Sequence, residues 1–252
     1  MASPVEQFRI QELVPLKLSE NIDISLTNSA LMMVIGVFVA LLFFWIATAR
    51  RTVVPGRLQS CAEILYEFIA NMIRDNVGKE GMRYFPYVFT LFVFVFLGNF
   101  IGMVPYSFTY TSHIVVTGAL ALTVFAVVTV IGFARHGAGY LRMFFPKGAP
   151  IATAPILIPI ELISYLSRPF SLAVRLFANM TVGHIMLKVL AGFVVSLGAL
   201  GAASWGLGYL GAFAAFSMVA GITVLEFFIA ALQAYVFTIL TCIYLNDAIN
   251  MH

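Results

Sequence analysis

Ionisable residues interrupt the long apolar stretch between about residues 151 and 247, and they are the strongest candidates for chemistry. They are Glu161, Arg168, Arg175, His184, Lys188, Glu226 and Asp247. An arginine at the centre of a membrane costs about 2.5–3.5 kcal/mol to insert, so such residues usually line a water path or an ion site. Lys188 and Asp247 lie near predicted helix ends, where side chains that reach the interface explain them more simply.

The residue types restrict the chemistry to proton transfer. Glu and His side chains can bind and release protons near neutral pH in a suitable environment. Arginine stays protonated in proteins, so Arg175 would be a fixed positive charge among groups that titrate. We therefore expect Arg175 to block proton passage at its own position and to attract a carboxylate.

Spacing places these residues on two helix faces. Positions seven apart in a helix share a face, with a drift of about 20° for each step. The first stripe consists of Glu161, Arg168, Arg175 and Asn179, and the second of Glu226, Gln233 and Tyr244. Two such stripes on apolar helices favour an aqueous pathway between them. A stripe buried for hydrogen bonding between helices would show the same spacing.

Composition excludes several other classes of protein. Hydrophobic residues make up 62% of the 252 positions and charged residues only 10%, against roughly 25% charged in an average soluble domain. The net charge of +3 is small and dispersed, which argues against nucleic-acid binding. The chain has no CxxC, HExxH or glycine-rich phosphate loop, so neither a metal nor a cofactor is expected.

The first part of the chain contains three runs of about 20 apolar residues, the length needed to cross a membrane. They cover residues 29–49, 85–103 and 113–133. The segments 50–84 and 134–150 carry Lys and Arg, whereas the connection 104–112 carries neither. Because positive loops stay in the cytoplasm, this bias predicts an N-terminus outside. Apolar residues at helical spacing within 50–84 predict an amphipathic helix on the membrane surface.

Residues 151–247 could form four ordinary spans or two long ones, and either number returns the C-terminus to the cytoplasm. A continuous helix over residues 152–190 would be roughly 60 Å long, twice the roughly 30 Å hydrocarbon core. It would therefore tilt steeply or bend, and Pro169 is a suitable bend. The glycine-rich stretch 198–211 predicts a turn region with close packing.

Two segments resemble the signature of subunit a of F-type ATP synthases. One is Ser167-Arg-Pro-Phe-Ser-Leu-Ala-Val-Arg-Leu-Phe-Ala-Asn-Met180, and the other extends from Glu226 through Leu232-Gln-Ala-Tyr235 to Leu245. The resemblance covers essentially the whole chain. It implies an all-α polytopic membrane protein, a single membrane domain over 1–252, with an outer N-terminal segment at 1–28. Five transmembrane helices and the surface helix at 50–84 are implied, and 151–247 becomes a hairpin of two long, tilted helices.

The resemblance also implies a role for each polar residue. Arg175 corresponds to the stator arginine, Gln233 would face it from the last helix, and Asn179 would lie nearby. His184 and Glu226 would belong to an outer half-channel, in the arrangement of the mitochondrial and alphaproteobacterial branch. Glu161 and Ser171 would lie near a cytoplasmic half-channel, and Tyr244 would continue the stripe of the last helix. Ala178 replaces a common glycine, and the motif defines no role for Arg168.

The resemblance further implies the surroundings of the chain. Expected partners are the ring of c subunits (the c-ring), subunit b with other stator subunits, and membrane lipid, without nucleic acid. The expected location is the bacterial inner membrane, with the N-terminus in the periplasm and the C-terminus in the cytoplasm. The chain itself would carry no catalytic site.

Two other classes of protein stay open on the residues alone. An ion-coupled secondary transporter would also carry charges at mid-membrane, and internal repeats, which we do not find between the two halves, would favour it. An intramembrane enzyme would need a nucleophile beside a base, and no such motif is present.

Overall fold

The computed structural model describes residues 9–15, 17–19, 22–23, 25–49, 52–104, 107–145, 153–203 and 207–250. Five helices in these ranges are long and apolar enough to cross a membrane, and the last two pack together as a pair. This confirms the all-α membrane fold and favours two long final helices over four short ones. Of the basic residues that predict the orientation, Arg50, Arg51 and Lys147 lie outside the described residues.

The first, second and third spans correspond to α1 (Asn28–Ala49), α3 (Phe85–Gly102) and α4 (Ile114–His136). Side-chain caps define the start of α1: the Ser29 N–H donates to Oδ1 of Asn28 (2.9 Å), and the Ala30 N–H donates to Oγ1 of Thr27 (3.2 Å). Helix α4 stops at Gly137, whose φ of 56° requires a residue without a Cβ.

Helix α2 (Arg57–Asn76) lies between the first two spans. Its inner face is buried at Ile69, Ala70, Met72 and Ile73, whereas Arg74 and Asp75 are exposed. Gly78, at a φ of 84°, follows α2 and leads into a 3-10 helix over Lys79–Tyr84. The 50–84 segment thus contains an amphipathic helix of 20 residues and a short 3-10 turn.

The hairpin consists of α5 (Ala154–Ala203) and α6 (Leu207–Ile249). The 50 residues of α5 give a length of about 75 Å, more than twice the hydrocarbon thickness. The helix continues through Pro159 and Pro169, although each proline removes one backbone N–H from the ladder.

The glycine-rich stretch packs closely, as predicted, and most of it is helical, so α5 and α6 extend further into residues 198–211 than a turn over the whole stretch would allow. Gly198 lies within α5 and Gly211 within α6. A Cβ on Gly211 would lie 3.4 Å from the side chain of Leu197, and one on Gly198 would lie 3.9 Å from Ala212. Small residues here let the two helices approach closely. Residues 204–206, between the helices, lie outside the described ranges.

Short antiparallel strands precede α1 and were not predicted. Strand β1 (Glu12–Val14) pairs with β4 (Leu26–Thr27), and β2 (Lys17–Ser19) pairs with β3 (Ile22–Asp23). The side chain of Asn28 joins this segment to α1, because its Nδ2 donates to the carbonyl of Arg9 (3.1 Å).

Helix α6 occupies the centre of the bundle, where it contacts α3, α4 and α5. Ala230, Ala234 and Phe237, on one face of α6, are completely buried. They meet Leu172 and Leu176 of α5 in the same apolar core. Helices in lipid associate through close packing of such side chains, and here this packing fixes the register of the two helices that carry the polar stripes.

Candidate functional site

Glu226 is buried in the interior of the hairpin. Its side chain, 8% exposed, points from α6 towards α5 and packs against Gly183. A methyl group on Gly183 would overlap Oε1 of Glu226 and lie 3.1 Å from its carboxyl carbon. Oε2 of Glu226 is buried and has no hydrogen-bond partner among the described residues. A buried carboxyl oxygen without a partner is costly, which suits a group that exchanges a proton with water or with a neighbouring side chain.

His184 follows Gly183 on α5, so the structure brings the imidazole and the Glu226 carboxyl to one level of the hairpin. Nε2 of His184 lies 3.1 Å from Oγ1 of Thr109. Thr109 begins the turn Thr109–Ser112, which connects α3 with α4 and is buried throughout. Thr181, one helical turn before His184, donates to the carbonyl of Ser112 (3.1 Å). The turn is thus attached to α5 on both sides of Gly183.

Two residues, one within this turn and one directly after it, have shifted pKa values. Burial raises the pKa of the Tyr110 hydroxyl, which donates to the carbonyl of Phe94 (2.9 Å). Burial lowers the pKa of His113 below its ordinary value of 6.5, and its ring stacks on Phe108 with centroids 5.0 Å apart. Both groups are therefore neutral at pH 7.

Asn179 and Gln233 join the two stripes directly. Nδ2 of Asn179 donates to Oε1 of Gln233 at 2.7 Å. Gln233 is 3% exposed, and its Nε2 has no hydrogen-bond partner in the part of the chain that the structure describes. The sequence predicts that these residues lie close together, and they form the polar contact between α5 and α6 nearest to Arg175 along α5.

Arg175 lies on an open face of α5, about 32 Å from the N-terminal end of the helix. Ser171, Arg175 and Asn179 follow one another at intervals of four residues and are all exposed, whereas Leu172 and Leu176 on the other side are buried. Arg175 makes no ion pair or hydrogen bond with any residue that the structure describes. We define Ser171, Arg175 and Asn179 as the open stripe.

Arg168, whose role the sequence did not define, belongs to a polar cluster between α4, α5 and α6. Its Nη1 donates to Oδ2 of Asp247 at 2.9 Å. Its guanidinium carbon lies 5.1 Å from the ring centroid of Tyr244 and 5.6 Å from that of Tyr165. The Tyr165 hydroxyl also lies 2.6 Å from Oγ1 of Thr129. Arg168 thus ties the start of α5 to the end of α6.

Glu161 lies two helical turns before Arg168 and is half-buried, and Lys188 is exposed on the opposite part of α5. The structure therefore separates the predicted residues along the hairpin. Glu161, Arg168 and Tyr244 lie towards one end, His184 and Glu226 lie towards the other, and the open stripe lies between them.

Asn99 of α3 was missed by the sequence reasoning. It is completely buried, and its Nδ2 donates to the carbonyl of Ala230, one turn after Glu226 on α6. Its Oδ1 has no partner among the described residues. The available signal was an amide side chain inside the apolar run 85–103. Over the described ranges, no three His, Cys, Asp or Glu side chains come together as a metal site would require.

These features define a polytopic helical membrane protein in which a buried carboxyl group and an imidazole lie on one side of an exposed arginine. The sequence profile of the family described as ATP synthase A chain matches residues 30–246. The chain belongs to this family.

Full-length relatives support the assignment. The chain is 71% identical over 252 residues to ATP synthase subunit a of Rhodospirillum rubrum, and each sequence is covered completely. It is 65% identical to ATP synthase subunit a of Paramagnetospirillum magneticum, again with complete coverage of both. Identity to the Mesorhizobium japonicum subunit a is 53% over 247 residues, or 98% of this chain and 96% of the relative.

Proposed function

We propose that this chain is the proton-conducting stator subunit of an ATP synthase, with two offset half-channels that carry protons to and from a rotating c-ring. The open stripe is the observation that supports the proposal most directly. An arginine on the open face of a transmembrane helix is costly in lipid, so a second protein surface must cover it. A partner that presents a carboxylate in the membrane would match the charge of Arg175.

The outer half-channel is proposed to use Glu226 and His184. Both are titratable, both lie at one level of the hairpin, and the carboxyl group has a buried oxygen without a described partner. A proton that enters from outside would pass these groups and neutralise a carboxylate on the c-ring. The neutral carboxyl group could then enter lipid at low cost.

The cytoplasmic half-channel is proposed to begin on the other side of Arg175, near Ser171 and Glu161. A c subunit that arrives there would lose its proton towards Glu161. Tyr244 and the Arg168–Asp247 pair lie at the same end of the hairpin and would form one wall of this path.

Arg175 is proposed to separate the two paths, with Asn179 and Gln233 beside it. Its pairing with the c-ring carboxylate must be weak, because a desolvated ion pair worth several kcal/mol would stop rotation. The membrane potential supplies about 2.3 kcal/mol per charge per 100 mV. Rotation would deliver this energy to a separate catalytic sector, so this chain would need no catalytic site of its own.

The proposed setting is the bacterial inner membrane, with the N-terminus in the periplasm and the C-terminus in the cytoplasm. Subunit b and other stator subunits are proposed as further partners. The family assignment favours this function over a secondary transporter, the alternative that the residues alone left open.

The decisive experiment replaces Arg175 by alanine in the complete complex and measures ATP-driven proton pumping in inverted membrane vesicles. We expect pumping to be abolished while the complex still assembles. Arg74→Ala, which removes an exposed arginine from α2, is the matched control and should pump normally. Normal pumping by assembled Arg175→Ala complexes would refute the proposal.

A second experiment addresses the proposed pair. Exchanging the residues at positions 184 and 226 would present the carboxyl group from α5 and the imidazole from α6. We expect partial retention of pumping, because Glu226 packs against Gly183, the neighbour of His184 on α5. Complete loss in a fully assembled complex would show that they do not act as a pair.

A further inference from the structure

The hydroxyl group of Thr109 contacts two groups at once. Its Oγ1 lies 3.0 Å from the carbonyl oxygen of Gly102 and 3.1 Å from Nε2 of His184. Thr109 is 6% exposed, so water does not compete freely for either contact. The hydroxyl has one proton to donate and can accept from a second group, and its surroundings decide which contact receives the proton.

The Gly102 carbonyl can only accept a hydrogen bond, and it belongs to the last residue of α3. Carbonyl groups at a helix C-terminus lack partners within the helix. Because Gly102 is buried, leaving its carbonyl without a donor would be costly. The Thr109 hydroxyl therefore donates to Gly102.

With its proton committed to Gly102, Oγ1 of Thr109 acts as an acceptor towards His184. The contact at 3.1 Å then requires a hydrogen on Nε2 of the imidazole. In the neutral ring, a hydrogen on Nε2 leaves the lone pair on Nδ1. One threonine side chain thus selects one of the two tautomers of His184.

The surroundings hold Thr109 in this position. Ser112 donates its hydroxyl proton to the carbonyl of Thr109 (2.6 Å), and Thr181 of α5 donates to the carbonyl of Ser112 (3.1 Å). A Cβ on Gly102 would overlap the Thr109 side chain, so the glycine permits the close approach. The turn and α5 therefore form a rigid support for the imidazole.

We propose that Thr109 is a positioning residue for proton transfer, which fixes His184 as the Nε2–H tautomer so that Nδ1 is the atom that receives and releases the proton. This inference rests on the proposed function of His184. A proton that arrives from a water molecule or from the Glu226 carboxyl group bonds to Nδ1 and gives an imidazolium that keeps its Nε2–H···Oγ1 contact. The same proton leaves from Nδ1, so the ring returns to its starting tautomer without rotating. Thr109 neither gains nor loses a proton.

The first test is spectroscopic and uses the wild-type complex with 15N-labelled histidine. The resonances that disappear in a His184→Gln complex identify the ring nitrogens of His184. At alkaline pH, where the ring is neutral, we expect Nε2 in the protonated range and Nδ1 in the unprotonated range. The opposite assignment would overturn the inference, and this readout does not depend on pumping.

The second test measures passive proton flow through the membrane sector of vesicles after removal of the catalytic sector. Thr109→Val keeps the side-chain shape but loses the hydroxyl, and we expect flow to fall about three- to tenfold, the effect of losing the hydrogen bond to His184. Thr109→Ser restores the hydroxyl, and flow should return to within about twofold of wild type. Thr117→Val removes a buried hydroxyl that is bonded to carbonyls of its own helix and should leave flow unchanged.

The remaining outcomes overturn the inference. Wild-type flow in Thr109→Val would show that the hydroxyl does not matter, and equal loss in Thr109→Val and Thr109→Ser would show that packing matters instead. Equal loss in Thr117→Val would remove the specificity of the effect. Failure of the proposed function would show differently, since ATP-driven pumping by His184→Gln and Arg175→Ala complexes would then be normal whatever the tautomer.

Discussion

Gly183 permits the close approach of α5 to the Glu226 carboxyl group. Its replacement by alanine therefore provides a quantitative test of the proposed outer half-channel. The new methyl carbon would overlap Oε1 and lie 3.1 Å from Cδ and 3.3 Å from Cγ of Glu226, whereas ordinary contacts begin at 3.4 Å. Relief requires the carboxyl group to turn away, so that its oxygen moves by about 1 Å.

The effect of Gly183→Ala on stability should be small because two contributions offset each other. Turning the Glu226 side chain away from its preferred rotamer costs about 0.5–1.5 kcal/mol. Replacing glycine by alanine inside a helix gains about 0.8–1.0 kcal/mol. The complex should therefore assemble with a net change within about 1 kcal/mol.

The effect on proton transfer should be large by comparison. A displacement of about 1 Å in a reacting group can reduce a rate about 100-fold, so we expect passive proton flow to fall about 10- to 100-fold. The assay is proton uptake into vesicles that contain the membrane sector, driven by a potassium diffusion potential. Gly192→Ala, on the same helix and with no atom within 4 Å of the new methyl group, is the matched control.

A compensating change sharpens this test. Glu226→Asp shortens the side chain by one methylene group and makes room for the methyl group of Gly183→Ala, so the double variant should conduct faster than Gly183→Ala alone. Wild-type flow in an assembled Gly183→Ala complex would refute the reasoning, because the carboxyl position would then not control transfer.

Three further predictions concern the supporting structure. In a double-mutant cycle, Arg168→Gln and Asp247→Asn should couple by about 1 kcal/mol, the upper range for a partly exposed ion pair, as measured by chemical denaturation of the solubilised complex. Burial lowers the pKa of His113 below 6.5. The Thr109–Ser112 turn should therefore have its full stability above pH 6.5 and lose stability as the pH falls towards the lowered pKa. Amide hydrogen exchange, corrected for intrinsic rates, measures this loss. Gly132→Ala places a methyl group against the buried ring of Tyr140 and should destabilise the complex by about 1–3 kcal/mol, as measured by its thermal dissociation.

Each of these predictions has its own control. Additive effects of the two single changes would exclude coupling between Arg168 and Asp247. His113→Phe keeps an aromatic ring on Phe108 and should abolish the pH dependence of the turn, so a dependence that persists would assign it to another group. Gly118→Ala lies on the same helix as Gly132 with open space around it, and equal destabilisation there would exclude the clash as the cause.

The sequence predicted which polar residues share a helix face better than it predicted the contacts between helices. Periodicity placed Asn179 and Gln233 on two helix faces, and the structure joins them by a hydrogen bond across 54 positions. Hydropathy found the spans, because a membrane helix must satisfy its backbone groups internally and carry an apolar surface. These signals are local, and they lie in one helix at a time.

Contacts between residues that are far apart in the sequence could not be predicted from such local patterns. Thr109 and His184 are 75 positions apart, and Arg168 and Asp247 are 79 apart. Their pairing depends on the packing of three helices and a turn, which periodicity does not encode. The length of the turn in the glycine-rich stretch could not be predicted for a related reason, since glycine serves both turns and close helix contacts. The strands before α1 are two or three residues long, too short for an alternating pattern to appear.

The open stripe also affects how this chain can be produced. A copy inserted without its partner would expose Arg175 to lipid, at a cost of about 2.5–3.5 kcal/mol, or roughly a 70- to 350-fold penalty in equilibrium population. Burial beneath the proposed partner would remove that penalty. The removal would contribute to the free energy of assembly. An orphan copy is therefore poorly suited to its own membrane and is a natural substrate for proteolytic quality control. The same arginine that is proposed to separate the two proton paths would therefore favour matched synthesis of this chain and its proposed partner.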